Sequence, residues 1–151
     1  MDINSIAEGL KVTGRVHLVK TNEIGQVVEE RDVPNLVVTT GKYHIASKIV
    51  ATTNSPASMT HMGIGTGTGA AAVGDTVLTQ TGRVALSSSS VLNNTITYTA
   101  TFPAGTGDGA ITEAGIFNAS SSGTMLCRTV FPTVNKGSGD QITITWVITV
   151  S

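Results

Sequence analysis

At 151 residues the chain suits one domain, long enough to bury a core without disulfide or metal staples. A formal net charge of −1 offers no field to draw in nucleic acid or an anionic membrane, and a single cysteine excludes an intrachain disulfide framework. Charged residues make up only 13%, against about 25% in a typical domain.

Those charges are unevenly spread. Residues 1–60 carry six basic and six acidic side chains, whereas 61–151 carry only Arg83, Arg128, Lys136, Asp75, Asp108, Glu113 and Asp140. A dispersed soluble domain normally distributes charge over its surface. Two readings follow: a C-terminal part covered by other chains, or a Thr/Ser-rich surface solvated through hydroxyls.

In chain order, residues 1–9 show weak periodicity and end in glycine, which reads as an arm outside the sandwich domain of 10–151. They lack the charged start and apolar centre of a signal peptide. Residues 11–20 alternate at period two through Val12, Gly14, Val16 and Leu18, as in a half-buried strand, and place His17 on the opposite face. A turn over 21–25 leads to a second strand over 26–33, closed by Pro34, so the two form a hairpin. Asn35 to Val38 is a short apolar link. Thr39 and Thr40 could cap a helix over 41–51, with Ile45, Ala46, Ile49 and Val50 as its apolar stripe.

Residues 61–65 read as a short buried strand running into the glycine-rich stretch 63–69. The segment 83–91 is strand-like, and Asn93-Asn94 turns into 95–102, where threonine alternates with apolar residues. Three more strands are predicted over 113–118, 124–131 and 141–150. In the last of them Ile142, Ile144, Trp146, Ile148 and Val150 share one face. No stretch approaches the roughly 20 apolar residues of a membrane helix. The whole predicts a mainly β fold: an antiparallel β-sandwich, jelly-roll-like, with one short helix and an extended N-terminal arm.

The chemistry signals are weak. Gly65, Gly67 and Ala70 fit the loose pattern G-x-G-x-x-G/A, but that fingerprint needs a helix starting at its third position, and Ala71-Ala72-Val73-Gly74-Asp75 is too short and glycine-interrupted. The simpler expectation is a flexible or neighbour-packed loop. His17, His44 and His61 lie far apart with no metal-ligand spacing. Glu113 and Asp108 are the only acids flanking a glycine-rich loop, and Glu113 is more simply a strand-edge or loop-satisfying residue. Cys127 alternates with apolar neighbours and reads as a small core residue. No enzymatic activity, cofactor, metal or small-molecule ligand is expected.

Several strings resemble those of a group of small tailed-phage virion structural proteins. They are Asn35-Leu36-Val37-Val38-Thr39-Thr40-Gly41; Met62-Gly63-Ile64-Gly65-Thr66-Gly67-Thr68, followed by Asp75 to Leu78; Ile111-Thr112-Glu113-Ala114-Gly115-Ile116-Phe117-Asn118; Met125-Leu126-Cys127-Arg128-Thr129-Val130-Phe131-Pro132; and the closing run from Asp140 to Val150. The resemblance covers about 11–150 and leaves the arm outside. It implies a non-catalytic virion protein in which Glu113 and Arg128 are structural. The preferred role is a capsid cement or decoration protein, assembled in the host cytoplasm, contacting the major capsid protein and copies of itself as a homotrimer. The alternative is a tail, baseplate or fibre component whose Gly/Thr loops over 65–75 and 103–110 bind host glycan. The expected assembly contacts are Met1, Asp2, Ile3, Asn4, Ser5 and Ile6 in the arm, with Gly67, Thr68 and Gly69 in the loop.

Overall fold

The computed structural model describes residues 9–50 and 55–151. Met1, Asp2, Ile3, Asn4, Ser5 and Ile6, and with them nearly all of the expected arm, lie outside those residues. Among the described residues ten strands and one helix follow in chain order: β1 (Val12–Thr21), β2 (Val27–Pro34), β3 (Leu36–Val37), α1 (Thr39–Ser47), β4 (His61–Gly65), β5 (Gln80–Ala85), β6 (Ser88–Leu92), β7 (Thr95–Phe102), β8 (Gly109–Phe117), β9 (Met125–Lys136) and β10 (Gln141–Val150). They form two antiparallel five-stranded sheets, β2-β1-β10-β7-β6 and β3-β9-β8-β4-β5. The chain is therefore a β-sandwich. Its order is built on the local hairpins β1–β2, β4–β5, β6–β7 and β8–β9, and does not establish a jelly roll.

Period-two patterning decides which face each strand buries. On the first sheet Val16 and Leu18 of β1, Ala100 and Phe102 of β7, and Ile142, Ile144, Trp146 and Ile148 of β10 point inward and are buried. Across from them lie Met62 and Ile64 of β4, Ile111, Ala114 and Ile116 of β8, and Leu126, Cys127, Phe131 and Val134 of β9. Trp146 is fully buried, as its phase with Ile144 and Ile148 predicts. Burial pushes the Cys127 thiol far above its ordinary pKa, against smaller opposing pulls from Asn35 and the Ile116 backbone, so Cys127 is an inert core residue. His17 faces outward, as its phase predicts.

Three expectations need correction. The segment 83–91 is not one strand. It splits into β5 in one sheet and β6 in the other, with the chain crossing between sheets at Leu86-Ser87. The link at 35–38 contributes strand β3, where Leu36 and Val37 pair with Arg128 and Cys127. The helix is shorter than 41–51, and of the predicted stripe only Ile45 packs against the main core, while Ala46 is exposed. Gly41 and His44 are buried, whereas Ile49 and Val50 lie past its end and are exposed. Close packing sets this face: a Cβ at position 41 would overlap the Leu126 carbonyl, so only glycine lets α1 approach β9.

His44 is thus held under α1, and its pKa is lowered from 6.5 first by burial and then by nearby Lys48. The unfolded chain protonates this ring more readily than the folded one, so the stability it contributes is full above 6.5 and declines as pH falls below it. Urea titrations at pH 7.5 and 5.5 should show a larger acid loss in the wild type than in His44→Gln.

Candidate functional site

The outer face of the second sheet is also covered. Glu113, Gly115 and Phe117 of β8 alternate away from the core, yet all three are buried. Their cover is the glycine-rich connection 66–79 between β4 and β5, together with Asn118 to Thr124. Leu78 packs there on Val38, Phe117 and Met125, and the Arg83 guanidinium stacks 3.6 Å over the Phe117 ring. Arg83 also donates to the carbonyls of Ala119 and Ser122.

At the centre of this cover is a buried ion pair. Glu113 is 1% exposed, and its Oε2 accepts from Arg128 Nε at 2.9 Å and Nη2 at 2.8 Å. Its Oε1 accepts from the backbone N–H groups of Gly67 at 3.0 Å and Thr79 at 2.6 Å, which are the two ends of the loop. Arg128 spends its remaining donors on the same loop, with Nη1 on Asp75 Oδ2 at 2.9 Å and Nη2 on the Gly69 carbonyl at 3.0 Å. Asp75 Oδ2 accepts from the Ala72 N–H, Thr112 Oγ1 donates to the Gly67 carbonyl, and Thr39 N–H reaches the Val73 carbonyl. A Cβ at Gly67 would sit 2.6 Å from Glu113 Oε2, so glycine is required for the loop to reach the carboxylate.

The loop is consequently pinned at both ends and in its middle, which corrects the expectation of flexibility. It also answers the nucleotide pattern physically. Glycine-rich loops bind phosphate with backbone N–H groups. Here the Gly67 amide already holds an anion, and that anion is the Glu113 carboxylate. No helix follows Ala70.

The other candidate residues do not converge. Asp108 pairs with Lys136 Nζ at 2.7 Å, a lysine that also donates to the Pro103 carbonyl, so Asp108 and Glu113 belong to separate ion pairs. His17 lies on the outer face of the first sheet, His44 is under α1, and His61 on β4 contacts Thr60 Oγ1. Among the described residues no three His, Cys, Asp or Glu side chains come close enough to share a metal ion. Of the expected loop contacts, Thr68 and Gly69 are exposed and Gly67 is half-buried.

Sequence reasoning related Glu113 to the loop but missed its partner Thr79, and with it Asp75, which accepts from Arg128, and Thr112, which donates to Gly67. The only signal for them was their presence in or beside the quoted strings, for Asp75 is 53 residues from Arg128.

The first sheet presents the other broad surface. Its registers align Thr13, Thr149 and Thr95 in one cross-strand row and His17, Thr145 and Thr99 in another. A shallow concavity of about 620 Å³ lies between β2, β1 and β10, lined by Arg15, His17, Asp32, Thr145 and Val147. This face is hydroxyl-rich, with the exposed Arg15–Asp32 pair at one side.

No protein-family model, curated protein or solved structure matches the chain.

Breaking the buried pair from one side should be costly, because it strands an uncompensated charge. Arg128→Met is expected to lower unfolding free energy by about 3–5 kcal/mol. Gly67→Ala should cost about 1–3 kcal/mol through the steric conflict with Glu113. Urea denaturation of both variants checks these values.

Proposed function

We propose that this chain is a non-catalytic structural protein of a tailed-phage particle, most consistent with a capsid cement that binds the shell and neighbouring copies of itself. The observation that carries the reading is where the quoted strings meet. Gly67 with Asp75, Glu113, and Arg128 come from three separate strings, and they assemble into one clasp whose hydrogen bonds are made inside the fold. Leu36 and Val37, from a fourth string, pair with the strand that carries Arg128. That these strings meet in a fastening internal to the fold supports a structural reading of the chain.

The charge distribution supports the same reading. All seven charged residues of 61–151 are engaged within the fold. Asp75, Glu113 and Arg128 share the clasp, Lys136 pairs with Asp108, Asp140 approaches Lys20 at 3.8 Å, and Arg83 is held by Phe117 and backbone carbonyls. Besides Asp108 and a few amides such as Gln80, Asn94 and Asn135, this half turns outward mainly threonine, serine, glycine and apolar side chains, including Val73 and Val77 on the clasped loop. Such a surface suits broad, weakly polar contacts repeated over a symmetric shell, where modest affinity per copy is multiplied by avidity. Thr68 and Gly69 at the loop crest are the described residues we assign to those contacts.

The test is retention on purified heads and purified tails of the encoding phage. The expected result is saturable co-sedimentation with heads and a higher melting temperature of the loaded shell. Retention on tails alone overturns the capsid position, and retention on neither overturns the virion reading.

A further inference from the structure

The sandwich has four edge strands, and three of them are protected against pairing. Strand β2 carries Glu29, Glu30, Arg31 and Asp32 and ends in Pro34; β3 has two residues; β5 bears a β-bulge opposite Ile64/Gly65 and carries Arg83. Charge, proline, brevity and bulges are the usual devices that blunt an edge. Strand β6, Ser88-Ser89-Ser90-Val91-Leu92, has none of them. It is uncharged, pairs with β7 without a register shift, and is exposed at all five residues, with Val91 and Leu92 each 72% exposed. Among the described residues no strand pairs with its outer side.

We propose that β6 pairs antiparallel with β6 of a second copy of this chain, joining two five-stranded sheets into one ten-stranded sheet across a two-fold axis. A two-fold contact brings a strand's net charge against the same net charge, which disfavours β2, with three acids to one arginine, and leaves uncharged β6 unopposed. The sequence is also self-complementary in size about Ser90. With Ser90 opposite the partner's Ser90, Ser89 faces the partner's Val91 on the core side and Ser88 faces the partner's Leu92 on the outer side. Small thus meets large on each face, and both exposed apolar residues gain cover. Ten strands is within the range of open sheets.

The contact is small. A five-residue ladder buries less than the roughly 800 Å² per partner of a stable interface, so the isolated pair has a dissociation constant above about 1 μM. Many copies held on one surface would strengthen it by proximity. The inference needs only this edge and stands whether or not the virion reading holds.

Sedimentation equilibrium of the purified chain up to about 1 mM should show reversible dimerisation, weakened at least tenfold by Ser90→Lys with no change in melting temperature. Directly opposed residues of an antiparallel pair lie about 4.5–5.5 Å apart at Cα, inside the range a disulfide spans. Ser90→Cys should therefore oxidise to a covalent dimer, with buried Cys127 staying reduced. A chain that is monomeric throughout, with Ser90→Cys giving no covalent dimer, overturns the proposal. So does a dimer whose affinity Ser90→Lys leaves unchanged. Neither experiment contains a shell, so their failure is separate from failure to bind heads.

Discussion

The Glu113–Arg128 pair is the constraint around which the second sheet is organised. An ion pair this deeply buried carries a desolvation penalty of several kcal/mol per charge, and it persists only where further hydrogen bonds complete both partners. That completion is drawn from the chain itself: two loop amides for Glu113, a loop carbonyl and Asp75 for Arg128. The loop covers the pair, and the pair in turn holds the loop. Each would be unfavourable alone, which ties 66–79 to β8 and β9 despite their distance in sequence.

Several otherwise separate features follow from this mutual dependence. β8 is buried on both faces, an unusual state for an antiparallel strand in a sandwich, because the loop supplies a third layer over it. Gly67 has no side chain because the carboxylate occupies that space. Phe117, Met125 and Val38 form a second small apolar cluster outside the main core, closed by Leu78 from the same loop. The scarcity of free charge on this half also follows, since its ionic groups are used to fasten the fold.

The fold was legible in the sequence to the extent that it rested on period-two alternation. Residues 95–102 and 141–150 coincide with β7 and β10, and 61–65 coincides with β4. Where tertiary contacts override local pattern, the reading failed. The helix buries Gly41 and His44 because backbone approach to Leu126, not side-chain hydrophobicity, selects that face. The crossing at Leu86-Ser87 leaves no trace in alternation, since both flanking segments are strands. Strands β8 and β9 extend beyond the predicted 113–118 and 124–131 at one end each, because their pairing continues from Gly109–Ile111 to Val134–Lys136. The clasp was legible only as two residues, Glu113 and Arg128, which the resemblance marks as structural without pairing them. Their other partners come from the loop 66–79, and nothing in the spacing of Asp75 and Arg128 reveals that they meet.

Amide hydrogen exchange at Gly67 and Thr79 tests the clasp most directly. Both N–H groups donate to Glu113, so the account predicts exchange only through opening of the second sheet, with protection comparable to that of β8 amides. Exchange at the rate of an unstructured loop, while β8 remains protected, would contradict it.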